Sequence, residues 1–179
     1  MAWTAPMTAV ANTVFTAAQF NLHVRDNLNE TAVAKATQIS SIFVGNGLNS
    51  IVERLPQVDN VATSETTAST TYTDLATVGP SVTTNTGSRA LVFIRAAFEN
   101  SGANNGTFMS WDVTGATTFA ASENQAVNFA GLPAAQRQRL GSHYMISSLT
   151  PGSNTFTMKY RVTAGTGTFL ARQIAVIPF

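Results

Sequence analysis

The sequence predicts a mainly antiparallel β protein preceded by a short helical segment, and three observations carry that expectation. Past Pro56, Thr and Val alternate in runs that are broken by turns rich in Gly, Pro and Asn. Ahead of Pro56, one stretch has helical spacing and helical ends. The chain is 44% hydrophobic but only 11% charged, against about 25% charged in an ordinary soluble domain. A core can therefore form, while hydroxyls and amides supply the polar surface. Thr is densest, with ten between Thr63 and Thr86. The 179 residues divide into an N-terminal segment, residues 1–55, and a β-sandwich domain, residues 56–179.

The helix is expected over about residues 16–34. Thr16 is its N-cap and Gln19 stands at the capping-box position. Phe20, Val24 and Leu28 then recur four apart and form a narrow apolar stripe. A short helix with so narrow a seam needs something to dock on. Helical character fades through Ile39–Val44, Gly45-Asn46-Gly47 reads as a turn, and Ile51–Leu55 as a short strand.

Strands are expected at about 58–63, 72–76, 81–85, 90–99, 107–114, 125–130, 137–147, 154–163 and 168–177. Gly79-Pro80, Thr86-Gly87-Ser88, Ser101–Gly106, Pro151–Asn154 and Ala164–Gly167 punctuate them. In Thr155–Val162, Phe156, Met158, Tyr160 and Val162 alternate with polar residues, so one face is core and the other wet. Leu91-Val92-Phe93-Ile94 is apolar on both faces. That strand is expected to be covered on both sides, by another subunit or by a loop.

The search for chemistry returns nothing catalytic. With no Cys there is no disulfide, thiolate nucleophile or thiolate zinc site. His23 lies in the helix and His143 in a β run, one in each half, which is a poor metal site. Ser142 and His143 are neighbours on a strand and so point to opposite faces. Asp26 and Glu30 share a helix face but read as solvated charge, and the other carboxylates are scattered singly. Gly165-Thr166-Gly167 precedes a strand and lacks the helix N-terminus of a phosphate loop, so it reads as a hairpin turn.

Arg137 and Arg139 share a strand face. Together with Arg95, Arg161 and Arg172 they would make a positive patch, or pair across strands with Glu99 or Asp112. A net charge of +1, with Lys+Arg 10 against Asp+Glu 9, does not suit nucleic-acid binding. Trp111 reads either as buried packing or as a platform for stacking on a sugar. No cofactor or metal is expected. No signal peptide is visible, and the densest apolar run, Ala90–Ile94, is too short to span a bilayer, so no membrane partner is expected.

Longer motifs carry a resemblance. Trp3-Thr4-Ala5-Pro6, Phe15–Asn21, Val24–Asn29, Thr70–Thr83, Gly152–Val162 and the ending Gly167–Phe179 together resemble the virion proteins of phages that infect actinobacteria. Such proteins are usually labelled minor tail proteins, and the family has no catalytic residues to carry over. The resemblance implies an N-terminal attachment segment followed by an exposed head. By fold analogy that head is a jelly-roll-like antiparallel β-sandwich, like the knobs of trimeric fibres.

On this reading Trp3, Phe15, Phe20, Val24 and Leu28 are apolar anchors on a capsid or tail, with Arg25 and Asp26 positioning the helix. The expected partners are other copies, as a homotrimer, and other virion proteins. The expected location is the virion surface, after synthesis in the host bacterial cytoplasm. The alternative is a receptor- or glycan-binding tip, with Asn104, Asn105 and Trp111 contacting a host surface glycan. A hydrolase would need two carboxylates converging at about 5–10 Å in a cleft, and the sequence offers no such pair.

Overall fold

A computed structural model describes residues 3–179 of the chain. It divides into two compact units, Met1–Leu55 with Phe179, and Pro56–Pro178.

In the first unit Thr16 caps the helix as its sequence predicts. Its hydroxyl accepts from the Gln19 N–H at 3.2 Å, and its own N–H donates to the Gln19 side chain at 2.9 Å. Phe15 and Phe20 meet edge to face across this cap at 6.1 Å, the pairing of a hydrophobic staple. Helical backbone runs through α1 (Ala17–Phe20), a π-helical turn (Asn21–Arg25) and α2 (Asp26–Leu28).

The helix then stops, short of the expected residue 34. The Thr31 hydroxyl donates to the Leu28 carbonyl at 2.8 Å and closes the end. Thr31 then caps a separate turn, α3 (Ala32–Lys35). Local bonds of this kind let a Thr end one helix and begin another. β1 (Ile42–Gly47) and β2 (Ser50–Arg54) form a hairpin. The expected turn at Gly45-Asn46-Gly47 lies inside β1, and the reversal falls at Leu48-Asn49, where Asn49 takes φ +54°.

The second unit is entirely antiparallel. Its strands are β3 (Gln57–Val61), β4 (Glu65–Thr67), β5 (Ser81–Thr86), β6 (Ala90–Asn100), β7 (Thr107–Gly115), β8 (Val127–Phe129), β9 (Gln138–Ile146), β10 (Gly152–Val162) and β11 (Gly167–Pro178). One sheet has the order β3-β11-β6-β9, with β4 continuing beside β11; the other has β5-β10-β7-β8. With β3 and β4 taken as one strand position, the sheets run 1-8-3-6 and 2-7-4-5, which is the strand order of a jelly roll. Between the sheets lie Val92, Phe98, Met109, Trp111, Val113, Phe156, Met158, Tyr160, Phe169 and Ile174. Rings of Phe129, Phe98, Phe169 and Tyr160 meet in series at 4.8–5.9 Å, the first two pairs stacked and the last tilted.

The strand expected at 72–76 is not one. Ser69 and Thr71 exchange side-chain and backbone bonds at 2.6 and 3.2 Å, which competes with a ladder. Only Thr73 bridges to β10, opposite Tyr160. The Gly79-Pro80 peptide bond is cis.

Strand β11 carries a bulge between Leu170 and Gln173, where Ala171 takes φ +48°. Ahead of it the buried residues are Gly167 and Phe169; beyond it they are Arg172, Ile174, Val176 and Pro178. The extra residue thus turns Arg172 inward. Its guanidinium is 0% exposed and pairs with Glu65 at 3.0 Å. It also donates to the carbonyls of Gly79 at 3.2 Å and Thr77 at 3.4 Å. The Thr77 hydroxyl and N–H, then the Arg172 charge, hold the Glu65 carboxyl below its usual range.

Arg172→Ala should destabilise the β unit by about 3 kcal/mol, because it empties a buried site and strands its carbonyl partners. Arg172→Met, which restores volume, should recover part of that loss in urea unfolding. In the first unit the Glu53 carboxylate accepts from the Ser41 and Thr37 hydroxyls and from the Thr37 and Gln38 N–H groups. These bonds lower its pKa from 4.5 to about 2. Their contribution is complete above the unfolded value and is lost as pH falls from about 4.5 towards 2. Amide protection at residues 37–41, measured relative to the intrinsic exchange rate at each pH, should therefore fall across that window, and in Glu53→Gln this acid step should disappear.

Candidate functional site

Unit one is held by polar clamps. Among its described residues Asn27 is the only buried one. Its side chain accepts from the Thr4 N–H at 2.9 Å and donates to the Thr4 carbonyl at 2.9 Å. His23 Nδ1 lies 3.1 Å from the Ala5 carbonyl, and the Trp3 N–H donates to Asn49 at 2.8 Å. The arm before the helix is thereby strapped across it.

The apolar side chains stay outside this framework. Phe20 is 48% and Leu28 60% exposed. Trp3 and Phe15 are exposed as well, and Val24 is half-buried. Arg25 pairs with its neighbour Asp26 at 2.7 Å, and Glu30 with Lys35 at 2.7 Å. Asp26 and Glu30 are therefore engaged with separate cations. Asn27 and Glu53, which organise the unit, were missed in the sequence, because an Asn that clamps a distant backbone carries no local signal.

In the β unit, the outer face of the β3-β11-β6-β9 sheet is unusually apolar. Across neighbouring strands Ile177, Leu91 and Met145 form one row, and Val58, Ala175, Phe93 and His143 the next. Phe93 is 40% exposed, and its ring lies 6.0 Å from that of His143. The expectation that Leu91–Ile94 is covered on both faces therefore fails within one chain. Beside Phe93 is a shallow groove of about 240 Å³, lined by Arg95, Gly141, Ser142, His143, Gln173 and Ala175. Gly141 leaves little room there: a Cβ would meet the Ile94 carbonyl at 3.0 Å and Arg95 Cβ at 3.1 Å.

The five arginines named in the sequence do not all gather: Arg95 and Arg139 are exposed on the adjacent strands β6 and β9, and the other three are engaged elsewhere. Arg172 is buried, Arg137 pairs with Glu99 at 3.1 Å, and Arg161 pairs with Glu123. Arg161 also lies 3.9 Å from the Phe108 ring centroid.

The ligand contacts named in the sequence separate. Trp111 is 1% exposed and packs on Phe119, Phe156 and Tyr144. It is core and offers no platform to a sugar, because its strand position points between the sheets. Asn104 is exposed at φ +62°, and Asn105 contacts Asn100 within its own loop.

The residue after Trp111 points outward instead. Lys159 Nζ stands between two carboxylates, 2.7 and 2.9 Å from the Asp74 oxygens and 3.3 Å from Asp112 Oδ2. Burial raises the Asp112 pKa, against the opposing pull of Lys159. Burial also disfavours the Lys159 charge, but the bond to Asp74 and the fields of both carboxylates outweigh it and hold the ammonium above its usual value. In the sequence Asp74 and Asp112 read as single carboxylates, Asp112 with an arginine as its possible partner, and Lys159 as one position of a wet strand face; strand register and the Thr73 bridge bring the three together. Among the described residues no group of His, Asp and Glu is arranged to hold a metal ion, and no helix is long and apolar enough to cross a membrane.

No protein-family profile matches this chain. No curated protein matches it. Among solved structures it is similar to the VP2 subviral particle of infectious bursal disease virus, at 13% identity and a TM-score of 0.47 over 74% of this chain and 36% of that one. It is also similar to the infectious bursal disease virus Gt strain, at 10% identity and a TM-score of 0.44. The chain spans about a third of the length of these proteins. The jelly-roll assignment rests on the chain's own strand order.

Because Trp111 is packed between the sheets, Trp111→Ala should act on stability. A loss of about 3–5 kcal/mol is expected in chemical unfolding, together with a collapse of the near-UV circular dichroism signal.

Proposed function

We propose that this chain is a non-enzymatic structural protein of a phage virion. It would be a trimeric surface decoration, short-fibre or minor tail protein that residues 1–55 attach to a capsid or tail. The observation that carries the reading is the construction of the first unit. It has a capped helix and a hairpin tied by polar clamps, yet no buried apolar side chain among its described residues. A unit built this way places Phe15, Phe20, Leu28, Val33 and Ile39 at its surface, where they can be buried only against another surface.

The apolar outer rows of the β3-β11-β6-β9 sheet support self-association by the same logic. A charge-poor, hydroxyl-rich chain suits a coat whose copies stand side by side, and the resemblance of the end motifs to actinobacterial phage proteins points to the particle. On this reading the protein is made in the bacterial cytoplasm and ends on the virion surface.

The test is a mass count of the chain in purified heads and tails, from particles carrying either the natural chain or Phe20→Ala/Leu28→Ala. The expected result is a copy number divisible by three on one of the two structures, with most copies lost in the double variant. Absence from both structures would overturn the virion role. Full incorporation of the double variant would overturn the assignment of the anchors.

A further inference from the structure

We propose that the hollow between residues 72–74 and 120–121, on the outer face of the β5-β10-β7-β8 sheet, is a binding subsite for one neutral sugar residue of a glycan. This goes beyond the particle role and does not depend on it.

The hollow encloses about 350 Å³ and is lined by Tyr72, Thr73, Asp74, Asp112, Ala120, Ala121 and Lys159, a volume at the small end for ligand pockets. Both of its walls are strapped to the sheet. Thr73 exchanges backbone bonds with Tyr160 at 3.0 and 2.9 Å. The opposite wall is pinned by two bonds between Val113 and Phe119, at 2.8 and 3.0 Å. The buried side chain of Gln125 adds to it, donating to the carbonyls of Ala120 at 3.1 Å and Trp111 at 3.3 Å. Ser110 reaches the same wall through the Ser122 carbonyl at 2.8 Å. A recess held this way costs little ordering when it is filled.

The chemistry of the floor selects the ligand class. Lys159 sits between Asp74 and Asp112, so its ammonium occupies the place a metal ion would need and repels a second cation. The two carboxylates repel acidic ligands. What remains favourable is a neutral group that both donates and accepts, as vicinal hydroxyls do. Asp74 keeps part of its carboxylate exposed. Asp112 Oδ1 is enclosed and has no hydrogen-bond partner. Turning that carboxylate about its broad terminal torsion would bring Oδ1 to the floor at the expense of the 3.3 Å contact between Oδ2 and Lys159, whose ammonium keeps both of its bonds to Asp74. The methyl groups of Ala120 and Ala121 and the Tyr72 ring offer carbon surface to the C–H face of a sugar ring.

The experiment is a titration of the ¹⁵N-labelled full chain with the methyl glycosides of glucose, galactose and mannose, read by amide chemical shifts. The expected result is saturable shifts for at least one sugar, confined to residues 72–74, 110–112, 120–121 and 159, with a Kd on the order of 1 mM. Asp112→Ala keeps the Asp74–Lys159 pair and should weaken that binding about tenfold. Ala121→Trp fills the hollow without touching a charge and should abolish the shifts, which guards against a sheet disturbed by the Asp112 change. The proposal is overturned if none of the three sugars gives saturable shifts there, or if Ala121→Trp binds as the natural chain does. Local shifts produced by calcium chloride in place of the sugars would overturn it equally, by marking a cation site.

Discussion

A guanidinium enclosed in protein must find its partners there, and the β unit is arranged around that requirement at Arg172. Burying an ion is costly unless its donors are met. Here Glu65 from β4, the Thr63 hydroxyl and the carbonyls of Thr77 and Gly79 meet the two terminal nitrogens, while Nε is buried without a partner. Tyr160 donates to the same Gly79 carbonyl at 3.0 Å, and its ring lies under the guanidinium, 5.5 Å away at the centroid. The long connection between β4 and β5 is thereby held against β10 and β11. The same connection carries Thr73 and Asp74, so the mixed-charge hollow inherits its geometry from the buried ion pair.

The two units solve the problem of cohesion in opposite ways. The jelly roll buries a continuous apolar layer, with aromatic rings in contact along its length, and its polar bonds refine a structure already held by burial. The N-terminal unit reverses the proportion. Asn27, His23 and Glu53 satisfy backbone groups one by one, and the apolar side chains remain outside. Net hydrogen-bond contributions are individually modest, so such a unit gains more from a partner surface than from its own interior. That asymmetry is what the proposed attachment role asks of the first unit.

The β unit was largely legible because alternation is a local signal. Phe156, Met158, Tyr160 and Val162 announced their shared face, and the turn residues bounded nearly every strand. The failures have particular causes. Residues 72–76 have β-forming composition, but Ser69 and Thr71 bond to their own backbone first. The helix was drawn too long because Thr31, permissible in a helix, here serves as an end and a new start. Trp111 left two readings open, since a lone strand Trp does not say which face is inside until the register of its neighbours is known.

The amino-acid order by itself determined the all-β class of residues 56–178, most strand positions, the Thr16–Gln19 cap and the low-charge, hydroxyl-rich surface, because each of these depends on neighbours within a few positions. Only the tertiary structure decided the sheet order, the inward turn of Arg172 at the β11 bulge, the Asp74–Lys159–Asp112 cluster and the exposed rows around Phe93. Those features join residues far apart in the chain, Arg172 and Glu65 by 107 positions and Gln173 and Asn60 by 113. Contact over that range is set by how the sheets pair, and no local pattern of polarity encodes it.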